Sequence, residues 1–491
     1  MDELMAQRVA KLEQLREIGM PPYPTRAHRT HTAEQATAIV EALPEGTDEA
    51  EGTVVTVAGR VVARRDMGKA AFFDLLDGTG RIQVLFRKNQ LPEHLFNALK
   101  LIDLGDFIGV TGTPMRTRTG QPTVGATSWV MLAKALHAPP EKYHGLTDPE
   151  LRQRHRYLDL MANEETRERF RARSKVVAAI RRFLENRGFI EVETPVLQES
   201  AGGAAARPFV THYNALGEDR YLRISLELHL KRLLVGGFER VFEIGRIFRN
   251  EGLGAKYNPE FTMLETYEAY ADYLGVAEMV EEMVATVAQE AFGRLTFNFR
   301  DHEIDLTPPW RRITFHDALR EYGDLDLDAF PTAESLRAEL ERRGLELPPN
   351  AGYGKLADEA MSHYVEPNLI QPTFLLDYPV ELSPLAKRKP ENPRLVERFE
   401  AFIGGFEAGN AYTELNDPID QRARFEEQLR LRAAGDEEAE LIDEDFLFAL
   451  EHGMPPTGGF GMGIDRLLMI LTGQPTIREV ILFPQLRSVK D

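Results

Sequence analysis

Cysteine is absent from all 491 residues, which removes disulfides, thiolate nucleophiles, iron–sulfur clusters and cysteine-held zinc from consideration. No apolar run approaches the roughly 20 residues that a membrane-crossing helix needs. The opening MDELMAQRVAKLEQLREIG alternates charged and apolar residues, where a secretion signal would carry an apolar core. The patterns G-x-x-x-x-G-K-S/T and H-E-x-x-H are missing too, so neither a P-loop nor a His-Glu zinc helix is expected, and most of the 12 His read as ordinary packing residues. Positive charge is scarce: 59 Lys+Arg against 78 Asp+Glu leave a net charge of -19, which argues against a protein that coats nucleic acid through bulk charge. These absences predict a cytoplasmic address with no membrane attachment and no zinc.

What is present is apolar enough, at 43% hydrophobic residues, to build buried cores. At roughly 100 to 200 residues per domain the length predicts several of them. Residues 2–18 place Leu4, Met5, Val9, Leu12, Leu15 and Ile18 at helical spacing, and Gly19 and Pro21 end the pattern. The polar stretch 41–53 lacks periodicity and reads as a linker, so 1–52 is expected to be an N-terminal helix and linker. From 53 the period becomes two. TVVTVAGRVVARR, AAFFDLL and RIQVLFR, with Asp77-Gly78 and Thr79-Gly80 as a hairpin turn, predict three antiparallel strands. A helical stretch (PEHLFNALKLID) and two further strands complete the order β-β-β-α-β-β, which fits a five-stranded OB-type barrel over 53–138. A β-sandwich fragment without a nucleic-acid role is the alternative. Within 55–140 eleven Lys/Arg face six Asp/Glu, a local excess of basic charge in an acidic chain. With Phe72 and Phe73 as candidate exposed aromatics, that charge favours single-stranded nucleic acid as the ligand.

Residues 139–160 are charged and Pro-led, and suit a connector; 161–491 reads as a long α/β region with a smaller helical insertion at 322–365. Three stretches in that region carry chemistry. In 239–268, two β-rich runs joined by a Gly-containing loop bear Arg246, Arg249, Glu251, Lys256, Glu260 and Glu265. Inward charges on strands are costly unless paired, so a polar cleft with Arg249 offering its fork to a phosphate is one reading, and a solvated hairpin with surface ion pairs is the other. In 394–417, Glu400, Glu407 and Glu414 recur at spacing seven, and Gly404-Gly405 and Gly409 make a continuous helix improbable. As strands, they let Glu400 and Glu407 converge across a turn, and three acids without Lys or Arg at matched positions suggest a site for a divalent metal or an ammonium group. In 453–471, Gly458, Gly459, Gly461 and Gly463 precede an apolar helix with Arg466 in its first turn, a run that permits close approach to a ligand or a neighbouring strand.

These stretches, in this order behind GFIEVETPVL, resemble motifs 1 to 3 of the class II aminoacyl-tRNA synthetases. The signatures HGLTDPE, RYLDL, GGAAARPF, RISLELHLKRLLVGGFERVFEIGRIFRNEG, NPEFTMLE, SPLAK, GNAYTELNDP, ALEHGMPPTGG and GMGIDR resemble the lysyl-tRNA synthetases of bacterial type, from about residue 53 to REVILFP near the end. The resemblance implies an α+β protein: an anticodon-binding OB barrel, then a class II catalytic domain with a mixed, mainly antiparallel sheet of six or seven strands flanked by helices, in a homodimer. It implies activation of L-lysine with ATP to lysyl-adenylate and pyrophosphate, then transfer to the terminal adenosine of tRNA(Lys).

Carried onto this chain, the resemblance assigns Arg249 and Arg466 to catalysis and to ATP. Glu251, Lys256, Tyr257 and Phe261 also fall to ATP, together with Glu400 and Glu407 as Mg²⁺ carboxylates. It assigns Gly203, Glu227 and Glu265 to the α-amino end of lysine, Asn410 to its carboxylate, Tyr267 and Glu414 to the ε-ammonium, and Phe72, Gln83 and Gln121 to the anticodon. Three positions depart from the family pattern: Lys256 and Tyr257 stand where Arg-His is usual, and Gln121 makes TGQ of the usual TGE. An aspartyl- or asparaginyl-type enzyme would need cationic side chains in place of Glu414 and Tyr267. A catalytically silent RNA-binding relative is opposed by the intact Arg249, Glu400, Glu407 and Arg466.

Overall fold

The computed structural model describes residues 3–140, 146–204, 206–349, 351–433 and 442–488. It divides into two compact units, 1–147 and 148–491.

The first unit opens with α1 (Glu3–Glu17) and α2 (Ala33–Glu41) and continues through β1 (Val55–Asp66), β2 (Ala70–Leu76), β3 (Arg81–Arg87), α3 (Glu93–Ala98), β4 (Phe107–Arg116) and β5 (Pro122–Ala133). The five strands close into a barrel in the order β1-β2-β3-β5-β4. Period-two alternation is the cause: Phe73, Leu75, Val84 and Phe86 point into one core, while their neighbours point out. The alternation also corrects one expectation, because Phe73 is fully buried in the barrel and only Phe72 stands on the outer face. The β2–β3 turn is held by Asp77, whose Oδ1 accepts from the Thr79 and Gly80 amides. Residues 41–53 are not a free linker. Ala50 N–H donates to Pro114 O, and Glu49 bridges to Met115 at the edge of β4. The helix α2, which lies in the segment read only as helix and linker, is closed by a capping box at Thr32 and Gln35.

The second unit begins with α4 (Pro149–Arg154), α5 (Arg156–Ala162) and α6 (Glu164–Asn186). The stretch read as a connector is therefore partly helical; Arg156 and Asp159 pair at 2.6 Å with both side chains buried, and residues 141–145 lie outside the described residues. Then follow β6 (Ile190–Glu191), β7 (Leu197–Gln198), β8 (Val210–Tyr213), β9 (Glu218–Leu222), α7 (Glu227–Val235), β10 (Arg240–Phe248), β11 (Glu260–Ala269) and α8 (Tyr273–Phe292). The run FIEVETPVL yields only the two-residue β6 before Pro195. A small pair, β12 (Thr296–Phe299) and β13 (His302–Asp305), precedes β14 (Arg311–Thr314). After α9 (Phe315–Gly323), the stretch read as an insertion supplies α10 (Ala333–Arg342) and α11 (Tyr353–Tyr364). The chain ends with β15 (Thr373–Pro379), β16 (Leu395–Ile403), β17 (Phe406–Thr413), α12 (Pro418–Ala433), α13 (Glu444–Glu451), β18 (Thr457–Gly463) and α14 (Ile464–Leu471).

The main sheet has eight strands in the order β14-β15-β16-β17-β18-β11-β10-β6. Its interior pairs are antiparallel, and the two short edge strands β6 and β14 pair in parallel. One face carries Phe374, Phe399, Ala401, Phe460 and Met462 against α6, α8 and α14, the largest core of the unit. The opposite face holds charged side chains, among them Glu265 and Glu400.

Candidate active site

The polar face exists because side chains alternate along each strand. On β11, Leu264 goes to the core, and Glu265 and Tyr267 go to the other face. On β18, Phe460 and Met462 go to the core, so Gly459, Gly461 and Gly463 form a bare strip on the polar face. A bulge between β16 and β17 lets Glu407 and Asn410 share the polar face while Phe406, Ala408 and Ala411 enter the core. The turn between them is Gly404-Gly405, both with positive φ.

At one end of this face three carboxylates and one ammonium group are buried together. Glu227, Glu265 and Glu414 are 4%, 3% and 1% exposed, and Lys231 is 0% exposed. Lys231 Nζ lies 2.5 Å from Glu227 Oε1 and 2.5 Å from Glu414 Oε2. Glu265 Oε1 accepts from Ser225 Oγ and the Leu226 amide at 2.9 Å each, and its Oε2 accepts from the Tyr267 hydroxyl at 3.0 Å. Burial, then the charge of Glu227, pushes the Glu265 carboxyl up to about 7. Burial raises Glu414 to about 8 even though Lys231 pulls it down. Glu414 Oε1 has no hydrogen-bond partner. It lies over Gly459, where an added Cβ would come within 1.9 Å of it. Gly203, with φ +84°, touches the same cluster: a Cβ there would be 3.2 Å from Glu227 Cβ.

The middle of the face is a second charged group. Arg398 donates to Glu400 Oε1 at 2.5 Å and to Asn410 Oδ1 at 3.1 Å, while the Asn410 amide donates to the Tyr412 hydroxyl at 2.6 Å. The Arg398 guanidinium stacks 4.4 Å from the Tyr378 ring. Burial, and after it the charges of neighbours including Glu407, leaves the Glu400 carboxyl at about 7. Arg466 donates to the Glu407 carbonyl at 2.9 Å and to its carboxylate at 3.2 Å. Its helix is pinned by buried Asp465, which accepts from the Thr262 amide at 2.7 Å and from Arg173. Arg249, where β10 ends, lies 5.4 Å from the Phe261 ring, and its guanidinium feels the charges of Glu251, Glu407 and Glu265. Tyr257 sits between Lys256 and Arg466, its ring 5.7 Å from each cation. Glu251 is exposed.

These contacts correct the expectation that Glu400, Glu407 and Glu414 lack basic partners, because they pair with Arg398, Arg466 and Lys231 in turn. Sequence reasoning missed Lys231, Arg398, Ser225 and Tyr412. Two signals were legible: Lys231 follows Glu227 by four residues, one helical turn, and Arg398 precedes Glu400 by two, the strand period. Tyr267 lies beside Glu414 over Gly459, and its hydroxyl donates to Glu265.

On the barrel, the outer face brings the expected trio close. Phe72 and Asp74 on β2 lie beside Leu85 and Gln83 on β3. Gln83 Nε2 donates to Gln121 Oε1 at 3.3 Å, and Gln83 Oε1 accepts from Thr123 Oγ1 at 3.0 Å. Arg65 and Arg81 flank Asp74 at 3.6 and 3.8 Å.

A β-sheet with one helix-covered core face and one polar face lined by paired arginines and carboxylates has the arrangement of a class II synthetase. Family models agree: residues 148–487 match the tRNA synthetases class II (D, K and N), and 55–132 match the OB-fold nucleic acid binding domain. The chain belongs to the class II tRNA synthetase family of the aspartate, lysine and asparagine group. Along its full length it is similar to lysine–tRNA ligases. That of Dehalococcoides mccartyi is 54% identical over 489 residues, 99% of this chain and 98% of the relative. That of Moorella thermoacetica is 54% identical over 490 residues, with 100% and 99% covered, and that of Chloroflexus aurantiacus 50% over 493, with 100% and 99% covered.

Proposed function

We propose that the chain is a lysine–tRNA ligase, which activates L-lysine with ATP and transfers the lysyl group to the 3′-terminal adenosine of tRNA(Lys). One observation carries the choice of amino acid: three buried carboxylates against one buried ammonium leave the pocket at a net charge of -2 when all four are ionised. Lysine carries two ammonium groups, and buried charge is tolerated only when paired. An aspartate or asparagine side chain would leave acids unpaired. The test is amino-acid-dependent ATP–pyrophosphate exchange, in which lysine should support exchange and aspartate and asparagine should not.

In this reading Glu227, Glu265 and Gly203 receive the α-ammonium, and Glu414 and Tyr267 receive the ε-ammonium. Asn410 and Arg249 orient the lysine carboxylate, whose oxygen attacks the α-phosphorus of ATP as pyrophosphate leaves. Arg249 and Arg466 neutralise the charge that develops on the phosphates, and Phe261 stacks on the adenine, with Glu251, Lys256 and Tyr257 around the nucleotide. The activated lysyl group then passes to a ribose hydroxyl of the tRNA. No protein nucleophile is needed, and the work of the site is orientation and charge neutralisation.

The Glu400 and Glu407 carboxylates fit Mg²⁺. Burial and the nearby charge of Glu407 raise the Glu400 carboxyl against the pull of Arg398, and one or two carboxylates completed by substrate phosphates are the usual Mg²⁺ set. Among the described residues no cluster of three or more His, Asp or Glu groups stands ready to hold a metal. A bound Mg²⁺ would screen the triphosphate as the charge shifts toward pyrophosphate. Changing Glu400 to Gln removes charge at constant size, so adenylate formation should fall by about tenfold or more and need more Mg²⁺. A variant with the original Mg²⁺ dependence would make Glu400 a structural carboxylate.

The barrel serves tRNA. Phe72→Ala should lower tRNA charging by roughly 10- to 100-fold, the worth of one base–aromatic stack, and leave lysine activation unchanged. Equal charging by both proteins would remove Phe72 from the anticodon site. We further infer a homodimer, supported by the exposed apolar residues Ile190, Leu197, Val210 and Leu216, and a sedimentation mass of one chain would refute it. No helix among the described residues is long and apolar enough to cross a membrane, and we propose a cytoplasmic address.

A further inference from the structure

We propose that Lys231 is a resident counter-cation of the amino-acid pocket, a positioning residue that offsets the charge of Glu227 and Glu414 and leaves Glu414 an oxygen for an incoming ammonium. The inference rests on the reading of this pocket as a lysine site.

The geometry is specific. Lys231 stands one turn after Glu227 on α7, so its ammonium reaches back to Glu227 Oε1 and across to Glu414 Oε2, 2.5 Å from each. Its side chain is 0% exposed, with the Phe446 ring of α13 5.8 Å from the ammonium, which marks it as a fixture of the wall. Neither Glu414 oxygen has a hydrogen-bond partner, but Oε2 has the Lys231 ammonium as its ion partner at 2.5 Å, whereas Oε1 lies buried over the bare backbone of Gly459 with none. A carboxylate so divided has one oxygen committed to the protein and one held for a ligand.

The charged and titratable groups around Lys231 come from four elements and the end of β17. They are Glu227 on α7, Glu265 and Tyr267 on β11, Arg398 on β16, Tyr412 on β17 and Glu414 just beyond it. Two acids confined together without a cation cannot both stay ionised near neutral pH, and one takes up a proton shared by the pair. Lys231 opposes this. Burial alone would push its ammonium down, yet the carboxylates of Glu227 and Glu414 more than reverse that, so it remains charged throughout the working range. With Lys231 present, both acids give up a proton more easily when an ammonium enters, because the Lys231 charge pulls against the burial that raises them. Without it, the pair would hold its proton more tightly, and lysine would have to displace that proton at a greater cost.

Lys231→Met keeps the chain length and removes the charge. At pH 7 its kcat/KM for lysine in pyrophosphate exchange should fall by about tenfold or more for each unit by which the pair titrates higher. The acid limb of the pH profile should move upward, so that the deficit relative to the unaltered enzyme narrows as pH rises. The loss should appear in KM for lysine more than in kcat. Lys231→Arg keeps a cation, and its limb should stay in place. Calorimetry in buffers of different ionisation enthalpy should count one more proton released per lysine bound to the Met variant at pH 7.

A Met variant weakened equally at every pH, or one without extra proton release, overturns the proposal and leaves Lys231 a packing residue. Should the Met variant fail to bind ATP, the Arg variant decides: a limb in the original position supports the proposal and a displaced limb overturns it. The unaltered enzyme is the separate check, because failure of that protein to exchange with lysine removes the reading of the pocket as a lysine site, whatever the variants do.

Discussion

Glu414→Gln is expected to lose on the order of 10² to 10³ in kcat/KM for lysine while ATP affinity stays nearly unchanged, because breaking a buried ion pair costs about 3 to 5 kcal/mol. Glu414 is 1% exposed and shares Lys231 with Glu227. The amide keeps the size and one acceptor but deletes the charge, so the ε-ammonium would be desolvated with no counter-charge. The substitution also leaves Lys231 with Glu227 alone, which tightens that pair and withdraws Glu227 from the α-ammonium. A lysine analogue with a hydroxyl in place of the ε-amine provides the contrast: the site would no longer hold an unpaired acid against it, so the preference for lysine should shrink by a similar factor. The measurement is exchange kinetics with both compounds for both proteins. A variant that keeps the original preference would pass the ε-ammonium from Glu414 to Glu227 or Glu265.

The second large effect is expected at a residue with no side chain. In Gly459→Ala the new Cβ would stand 1.9 Å from Glu414 Oε1 and 2.6 Å from Tyr267 Cε1, distances that force movement. Gly459 pairs with Tyr267 on one side and Tyr412 on the other in the ladder, so the backbone has little room to retreat. Either the Glu414 carboxylate leaves Lys231 or the Tyr267 ring leaves Glu265. Overpacking of this kind costs about 1 to 3 kcal/mol of stability. Lysine activation should fall more steeply, by about 10²-fold or more, since the displaced group belongs to the buried ion pair. Thermal melting, ATP binding and lysine-dependent exchange separate the two: a folded, ATP-binding variant with poor lysine exchange is the expected result. Unimpaired exchange would mean that the glycine strip is not the floor of the amino-acid site.

The barrel was readable from its residues because apolar side chains recur at every second position along its strands. TVVTVAGRVV and AAFFDLL show the period directly, and the charge excess and Phe72 point to a nucleic-acid surface. Phe73 illustrates the limit: in a run of two adjacent aromatics the alternation puts only one outside, and register decides which. The large sheet was not readable in the same way. The strands of that sheet are largely buried on both faces, as all seven residues of β15 and the run Leu264–Tyr267 of β11 show, and β18 carries glycine at its site-facing positions, so hydrophobic period two is faint there and only the family resemblance led to an antiparallel catalytic sheet.

Local sequence was enough for the residue types, the order of the motifs, the barrel and the candidate carboxylates, since these depend on spacings of two, four or seven residues within single elements. Which acid faces which cation depended on tertiary structure. Lys231 and Glu414 meet from α7 and the end of β17, Arg466 reaches Glu407 across 59 positions, and Gly459 shapes a pocket whose acids lie on other strands. Spacing along the chain determines the face on which a side chain emerges. Burial strengthens or penalises charges according to what lies within a few ångströms, and that neighbourhood is assembled only when the sheet closes against its helices.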